Sequence, residues 1–458
     1  MTGRSSILDM KPLAIAQIGS ADEGGGAATV ARGLMKGYAA RGHRVWHLVG
    51  RKRGDDPNVV LLPDDDRWPY RMSGYAAVQT GLRRLAGKFP HRGFGLISRS
   101  LRLATHPRTF ASRRAGLEDF DFPGTARCVD RLGDRPDVVH GHNLQGDYFD
   151  LRALIEISAR VPTILTLHDM WLLTGHCAYT LGCDRWRQGC GDCPDLRLDP
   201  PIQRDATREN CRRKAAVFAS SSLHVVTPSR WLADQVGRSP LGASIKSLRV
   251  IPNGVDTTIF RPGHRQEARR ELGLSPDAWL VLLTTGSRGS MWKDDGMLKQ
   301  AVRSLAERRL GRPIEFVAVG RESAVAGGTA TRSIPFQHDP SVMAKYFQAA
   351  DLYLHAARAD TCPLTVLEAM ACGTPVVASR IGGIPEQLDA DAGVLVAPQN
   401  GIAMADAAER LLIDDSERSA MAQRAVRSVA ARFTLDRQVE SYLSIYRELL
   451  GQDAAVVN

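Results

Sequence analysis

Long apolar runs are missing from these 458 residues: stretches such as 394–398 fall far short of the roughly 20 residues that a membrane-spanning helix needs. No transmembrane segment is expected. The apolar residues 13–16 are soon followed by Gln17 and a glycine loop without a cleavage pattern, so no signal peptide is expected and the cytosol is the expected compartment. Its eight cysteines are spread over 458 residues, a length ample for sizeable buried cores, so a disulfide-built mini-protein is excluded. Aromatic residues make up only 6%, which speaks against a surface built to stack nucleic-acid bases. Lysine is scarce, nine of the 60 basic residues, so a lysine in a glycine-rich loop stands out. Acidic residues are absent from residues 67–117, where eleven basic residues fall; the rest of the chain carries 49 basic against 50 acidic. The net charge of +10 is therefore local, as for a docking surface, and does not describe a generally basic protein.

What is present is alternation. Strand-length apolar runs and helix-length amphipathic stretches succeed one another almost throughout, the pattern of an α/β protein with parallel sheets. Strands are expected at residues 13–18, 44–49, 137–140, 162–167, 223–226 and 247–251, then at 279–284, 315–319, 352–355, 375–378 and 393–396. The restart near residue 277 divides the chain into an N-terminal domain of 1–251, a linker of 252–276, a second domain of 277–433 and a tail of 434–458. Helices are expected over 416–431 and 435–450.

Several segments carry groups suited to a ligand. Gly24-Gly25-Gly26 follows the first strand, where glycine lets a phosphate or sugar approach the backbone. His140-Gly141-His142-Asn143 and His168-Asp169 lie at strand ends, where open parallel sheets place binding groups. Burial inside the continuing strand marks His140 as the structural histidine and leaves His142, at the strand end, as the functional one; Asp169 suits either a cleft wall or a helix cap. The loop Thr285-Gly286-Ser287-Arg288-Gly289-Ser290-Met291-Trp292-Lys293 follows the first strand of the second domain. Pro363 opens a helix whose unpaired N–H groups favour a diphosphate, preceded by Asp360 and carrying Glu368 inside.

The run from Asp360 through Thr361-Cys362-Pro363-Leu364-Thr365-Val366-Leu367-Glu368 to Gly373-Thr374-Pro375 resembles the C-terminal signature of glycosyltransferase family 4, with its two acids eight residues apart. Val250-Ile251-Pro252-Asn253-Gly254-Val255-Asp256, Thr227-Pro228-Ser229-Arg230-Trp231, Ile381-Gly382-Gly383-Ile384-Pro385-Glu386 and Phe433-Thr434-Leu435 are similar to further segments of that family. The resemblance implies the GT-B architecture, two Rossmann-like domains facing a cleft, with a C-terminal helix crossing back to the first. It implies a retaining hexosyltransferase that needs no catalytic metal and takes a UDP- or GDP-linked sugar. The implied catalytic residues are His142, Asp360 and Lys293. Arg288, Lys293, Pro363, Leu364, Thr365, Glu368, Gly25 and Gly26 would bind the donor, with Glu368 on the ribose hydroxyls, and His168 and Asp169 would wall the acceptor cleft. Here Asp replaces the usual Glu at position 360, one methylene shorter, and Asp294 replaces the usual glycine after Lys293.

The segment His168-Asp169-Met170-Trp171 to Cys177, with Cys183, Cys190 and Cys193, is similar to a cysteine-bearing branch tied to bacterial exopolysaccharide and colanic-acid-type synthesis. The four thiols admit a structural zinc, reduced packing thiols or disulfides, or an Fe–S centre. Acceptors in such pathways are saccharides, often lipid-linked, and the basic stretch 67–117 suits an anionic membrane surface or the acceptor's own phosphates. Alternatives on the same fold are a nucleotide-sugar epimerase or a phosphorylase. A nucleic-acid-binding zinc protein fits less well, because the charge lies outside the cysteine loop; no nucleic-acid partner is expected.

Overall fold

A computed structural model describes residues 11–62, 107–285, 291–320, 331–388 and 391–452. Two all-parallel sheets account for its strands. The first contains β1 (Ala14–Gly19), β2 (Arg44–Val49), β3 (Val59–Leu61), β4 (Val138–His142), β5 (Thr163–Thr166), β6 (Leu223–Thr227) and β7 (Ser247–Val250), in the order β3-β2-β1-β4-β5-β6-β7. The second contains β8 (Trp279–Thr284), β9 (Ile314–Val319), β10 (Thr331–Ile334), β11 (Leu352–His355), β12 (Val376–Ser379) and β13 (Val394–Val396), in the order β10-β9-β8-β11-β12-β13. Central strands β1, β4 and β11 are buried along their whole length, as a parallel sheet covered by helices on both faces requires. The edge strands β3 and β10 are short and partly exposed, and neither is apparent as an apolar run in the sequence.

Strand order reverses between β1 and β4 in the first sheet and between β8 and β11 in the second. At such a reversal the crossover helices leave to opposite faces and open a crevice at the carboxyl ends of the strands. The segments expected to bind ligand lie there. The glycine turn follows β1 and His142 ends β4; the Lys293 loop follows β8 and Asp360 follows β11.

The C-terminal helix Leu435–Leu449 belongs to the core of the first domain. Val439, Tyr442, Leu443 and Tyr446 are fully buried against Val30, Leu34 and Tyr38 of the helix Gly26–Ala40 and against Ile15, Val138, Ile164 and Val226 of the sheet. Each such side chain stabilises the contact by about 1.5–3 kcal/mol through burial. Close approach is possible because Gly37 faces Val439: a Cβ there would lie 2.4 Å from Val439 Cγ2. Thr434 caps the helix by accepting the Arg437 N–H, and Arg41 ties its exposed face through Asp436 and Glu440. The crossing-back helix is thus a wall of the first domain's core. Among the described residues, no helix is long and apolar enough to cross a membrane.

Candidate active site

Lys293 is positioned by a strap. Trp292 O accepts the Arg358 N–H at 2.8 Å, and Lys293 forms an isolated β-bridge with Ala357, laying the end of its loop on the segment after β11. The ammonium Nζ then sits 3.3 Å from Asp360 Oδ2 and 3.3 Å from His355 Nε2. Burial and the Lys293 charge hold the His355 imidazole well below its ordinary pKa, so it is neutral. Because the ammonium can only donate, His355 Nε2 accepts from it, and the ring proton lies on Nδ1, donated to Tyr353 OH at 2.9 Å. The Tyr353 hydroxyl in turn reaches Thr284 at the end of β8. This chain fixes the cation at the mouth of the second switch point.

The turn bearing Asp360 is held by glycines. Gly382 has φ +56°, and a Cβ on it would fall 1.9 Å from Asp360 O; one on Gly383 would fall 1.8 Å from Thr361 O. Only glycine allows this approach, in which Gly383 N–H donates to Asp360 O. The next residues open the helix Leu364–Ala371, which has Pro363 at its N-cap and no side-chain cap. Its first amides thus meet no capping side chain, and an anion would complete them. Glu368 is half-buried in that helix with no salt bridge among the described residues, and burial pushes its carboxyl up to about 7.

In the first domain, His140 is a satisfied core residue: Nε2 meets Thr166 Oγ1 at 2.7 Å and Nδ1 meets Tyr446 OH at 2.7 Å. His142, two residues on, has Nδ1 3.1 Å from His168 Nε2, and its Nε2 is buried without a partner among the described residues. Burial lowers the pKa of all three rings, to about 3 for His140, well below the ordinary value for His142 and to about 4 for His168, so this cluster is neutral. Asp169 accepts Asn143 Nδ2 and Gln145 Nε2 at 3.0 Å each, and also the Trp171 N–H at 2.9 Å, just ahead of the turn Trp171–Leu173. Burial still pushes its carboxyl up to about 6. Gly25 has φ +90°, and the space beside Gly25 and Gly26 is open, leaving room against the backbone.

The two halves meet across these turns. Thr361 Oγ1 donates to His168 O at 2.9 Å, and Asn253 Nδ2 to Cys362 O at 2.9 Å. Glu386 of the second domain accepts the N–H groups of Arg230 and Trp231 at 2.8 Å each, closing the start of the helix Arg230–Gly237. Tyr179 stands edge-on to Trp292 at 5.0 Å. The structure therefore gathers Lys293, Asp360, Pro363, Leu364, Thr365 and Glu368 around one switch point. It gathers Gly25, Gly26, His142, His168 and Asp169 around the other. Arg288 lies outside the described residues, as does most of the basic stretch 67–117. His355, Tyr179 and Trp292 were missed; of these, His355 carried a usable signal, since it ends a strand just as His142 does.

A structural zinc is one of three readings of Cys177, Cys183, Cys190 and Cys193. Among the described residues no three His, Cys, Asp or Glu side chains could share a metal ion, and all eight cysteines are free. Local partners separate them: Cys190 turns to Cys211, outside the quartet, and accepts the Gly175 N–H, while Cys193 faces His176 Nε2 at 3.4 Å.

Comparison with known proteins agrees with this geometry. The profile described as Glycosyltransferase Family 4 matches residues 24–259, and that of Glycosyl transferases group 1 matches residues 280–414. The chain is 25% identical over 324 residues to the putative colanic acid biosynthesis glycosyl transferase WcaC of Escherichia coli K12, covering 69% of this chain and 77% of the relative. It is 30% identical over 332 residues to D-inositol 3-phosphate glycosyltransferase 1 of Catenulispora acidiphila, covering 69% and 72%. Of several other relatives of that second name the matched part spans only about half the length. In three dimensions it is similar to Anabaena HepE, solved in complex with UDP-glucose, with a TM-score of 0.58 at 17% identity, covering 94% of this chain and 100% of that one. A profile that spans more than half of the sequence and two sheets with paired switch points lead to one conclusion: the chain belongs to glycosyltransferase family 4, with the GT-B fold.

Proposed function

We propose that this glycosyltransferase moves a hexose from a nucleoside-diphosphate sugar to a saccharide acceptor with retention of anomeric configuration. The observation that carries the reading is Lys293 held between Asp360 and His355 beside an uncapped helix start. Residues 277–433 take the donor. The diphosphate lies on the amides from Leu364 onward, Glu368 accepts the ribose hydroxyls, and Asp360 faces the sugar. Residues 1–251 present the acceptor, with His168 and Asp169 as cleft wall and His142 Nε2 on a sugar hydroxyl. Gly25 and Gly26 supply the room for both.

As the bond from the anomeric carbon to phosphate breaks, its electron pair passes to the diphosphate. Lys293 and the helix N-terminus stabilise that developing charge, as preorganised donors do in a site that need not reorganise. The acceptor oxygen bonds to the anomeric carbon on the face the phosphate leaves, and its proton goes to the departing phosphate oxygen. None of these steps calls on a metal. Neutral His142 is an acceptor or donor here without adding charge beside the sugar.

The relation to WcaC supports a role in polysaccharide assembly, and HepE, solved in complex with UDP-glucose, makes UDP the first nucleotide to try. A lipid-linked acceptor would bring the enzyme to the inner face of the cytoplasmic membrane, with the basic stretch 67–117 on anionic lipid. The test is hydrolysis and transfer by purified protein with UDP-, GDP-, ADP- and dTDP-sugars. Release of nucleotide from one class of donor, faster with a saccharide acceptor, is expected. Interconversion of donors without acceptor would instead mark an epimerase, and a requirement for free phosphate a phosphorylase.

A further inference from the structure

The second sheet has another opening at its far edge. A cleft of about 410 Å³ lies at the amino ends of β8, β11 and β12, lined by Trp279, Asp351 and Pro375 and by four arginines. The six residues of β8 at about 3.3 Å each put about 17 Å between this cleft and the switch point where Lys293 stands. It is a separate place from the donor site.

Its charges do not balance. Arg265 and Arg269 share one carboxylate, Asp351, at 3.0 and 2.6 Å. Arg418 pairs with Asp415. Arg312 lies over the Trp279 ring at 4.6 Å and has no acidic partner among the described residues. Four guanidinium groups thus face two carboxylates, an excess of two positive charges.

The donors are unequally engaged. Arg269 spends its N–H groups on Asp351 and on the carbonyls of Ser275, Pro276, Ala278 and Ala349, and Arg418 donates to Leu411 O and Leu412 O. These two hold the fold together. Among the described residues, Arg265 keeps donors beyond its one contact, Arg312 keeps all of its own, and the buried Trp279 indole N–H has no partner. Planar guanidiniums with free N–H groups match the oxygens of a phosphoryl dianion, and the volume admits a small molecule behind it.

We infer that this cleft binds the phosphoryl group of a small phosphorylated metabolite, at a site distinct from the donor site, through Arg265 and Arg312. Calorimetry on the full chain, saturated with UDP and at fixed ionic strength, would use inorganic phosphate, glucose 6-phosphate and AMP as probes. Binding of at least one is expected in the presence of UDP; tighter binding of glucose 6-phosphate or AMP than of phosphate would point to an organic ligand, equal binding to free phosphate. Arg312→Gln and Arg265→Gln should each weaken it tenfold or more, with unchanged melting temperature and unchanged UDP affinity. Arg312 is exposed, so its replacement spares the core. Failure of all three probes to bind at millimolar concentration, competition by UDP, or full affinity in the double variant would overturn the inference.

Discussion

Nucleotide binding should carry a pH signature from Glu368. Burial lifts its carboxyl from 4.5 to about 7, which corresponds to roughly 3 kcal/mol of desolvation cost to the carboxylate. In the free protein the group is therefore protonated below about pH 7 and ionised above it. Two ribose hydroxyls donating to the carboxylate would favour the ionised form and pull the pKa down in the complex. Binding then expels a proton whenever the pH lies between the two values. The sign follows: affinity for nucleotide rises with pH up to about 7 and levels off above it, falling by up to tenfold per unit below. Calorimetry with UDP at pH 5.5, 7 and 8.5, in buffers of different ionisation enthalpy, reads both the affinity and the proton count. Glu368→Gln keeps a hydroxyl acceptor without a titrating group, so its affinity should be flat over that range. Glu368→Ala should lose about 1–3 kcal/mol, roughly fivefold to 150-fold in Kd, at pH 8. A pH-independent wild-type affinity with no proton release, or an unchanged slope in Glu368→Gln, would refute the ribose role.

Lys293→Ala should lower turnover by about a hundredfold or more while leaving the melting temperature near that of the wild type, because its charge meets the leaving diphosphate; wild-type turnover would remove it from the site. Asp360→Asn should impair transfer with nearly unchanged UDP affinity, measured by calorimetry, since its partner is the sugar; parallel loss of UDP binding would place it elsewhere. Gly37→Ala puts a methyl 2.4 Å from Val439 Cγ2 and should destabilise the chain by about 1–3 kcal/mol in urea unfolding through overpacking against the C-terminal helix. No loss of stability would mean the helix yields there at little cost.

The parts legible in the sequence are those that a local pattern encodes. β2, β8 and β11 lie at the residues expected from their apolar runs, and β8 and β11 are buried almost throughout, as central parallel strands are. The helices Asp415–Arg432 and Leu435–Leu449 appear within a residue of their expected bounds. β3 and β10 were not legible: the first is three residues long, and the second, Thr331–Ile334, carries Arg332 and Ser333 at an exposed edge. Of the site, His140 and His142 lie two residues apart on one face of β4 with ring centroids 4.0 Å apart, so alternation does not distinguish them; the tyrosines that engage His140 come from a helix 300 residues away in sequence, and nothing local announces them. Glu386 was visible only as part of a glycine turn. Its closure of the Arg230–Gly237 helix across the domains exists only once both sheets are placed. For the cysteines the sequence left several readings open, because nearness in sequence says nothing of direction: Cys190 faces Cys211, and Cys193 faces a histidine.

The central claim is retention, and the anomeric configuration of the product tests it most directly. Proton NMR of the glycoside formed from an α-linked nucleotide sugar, recorded before any mutarotation can occur, should show an α-glycosidic bond, because donor and acceptor oxygens share one face of the anomeric carbon. A β-linked product from the same donor would contradict the account and require a base on the opposite face of the sugar.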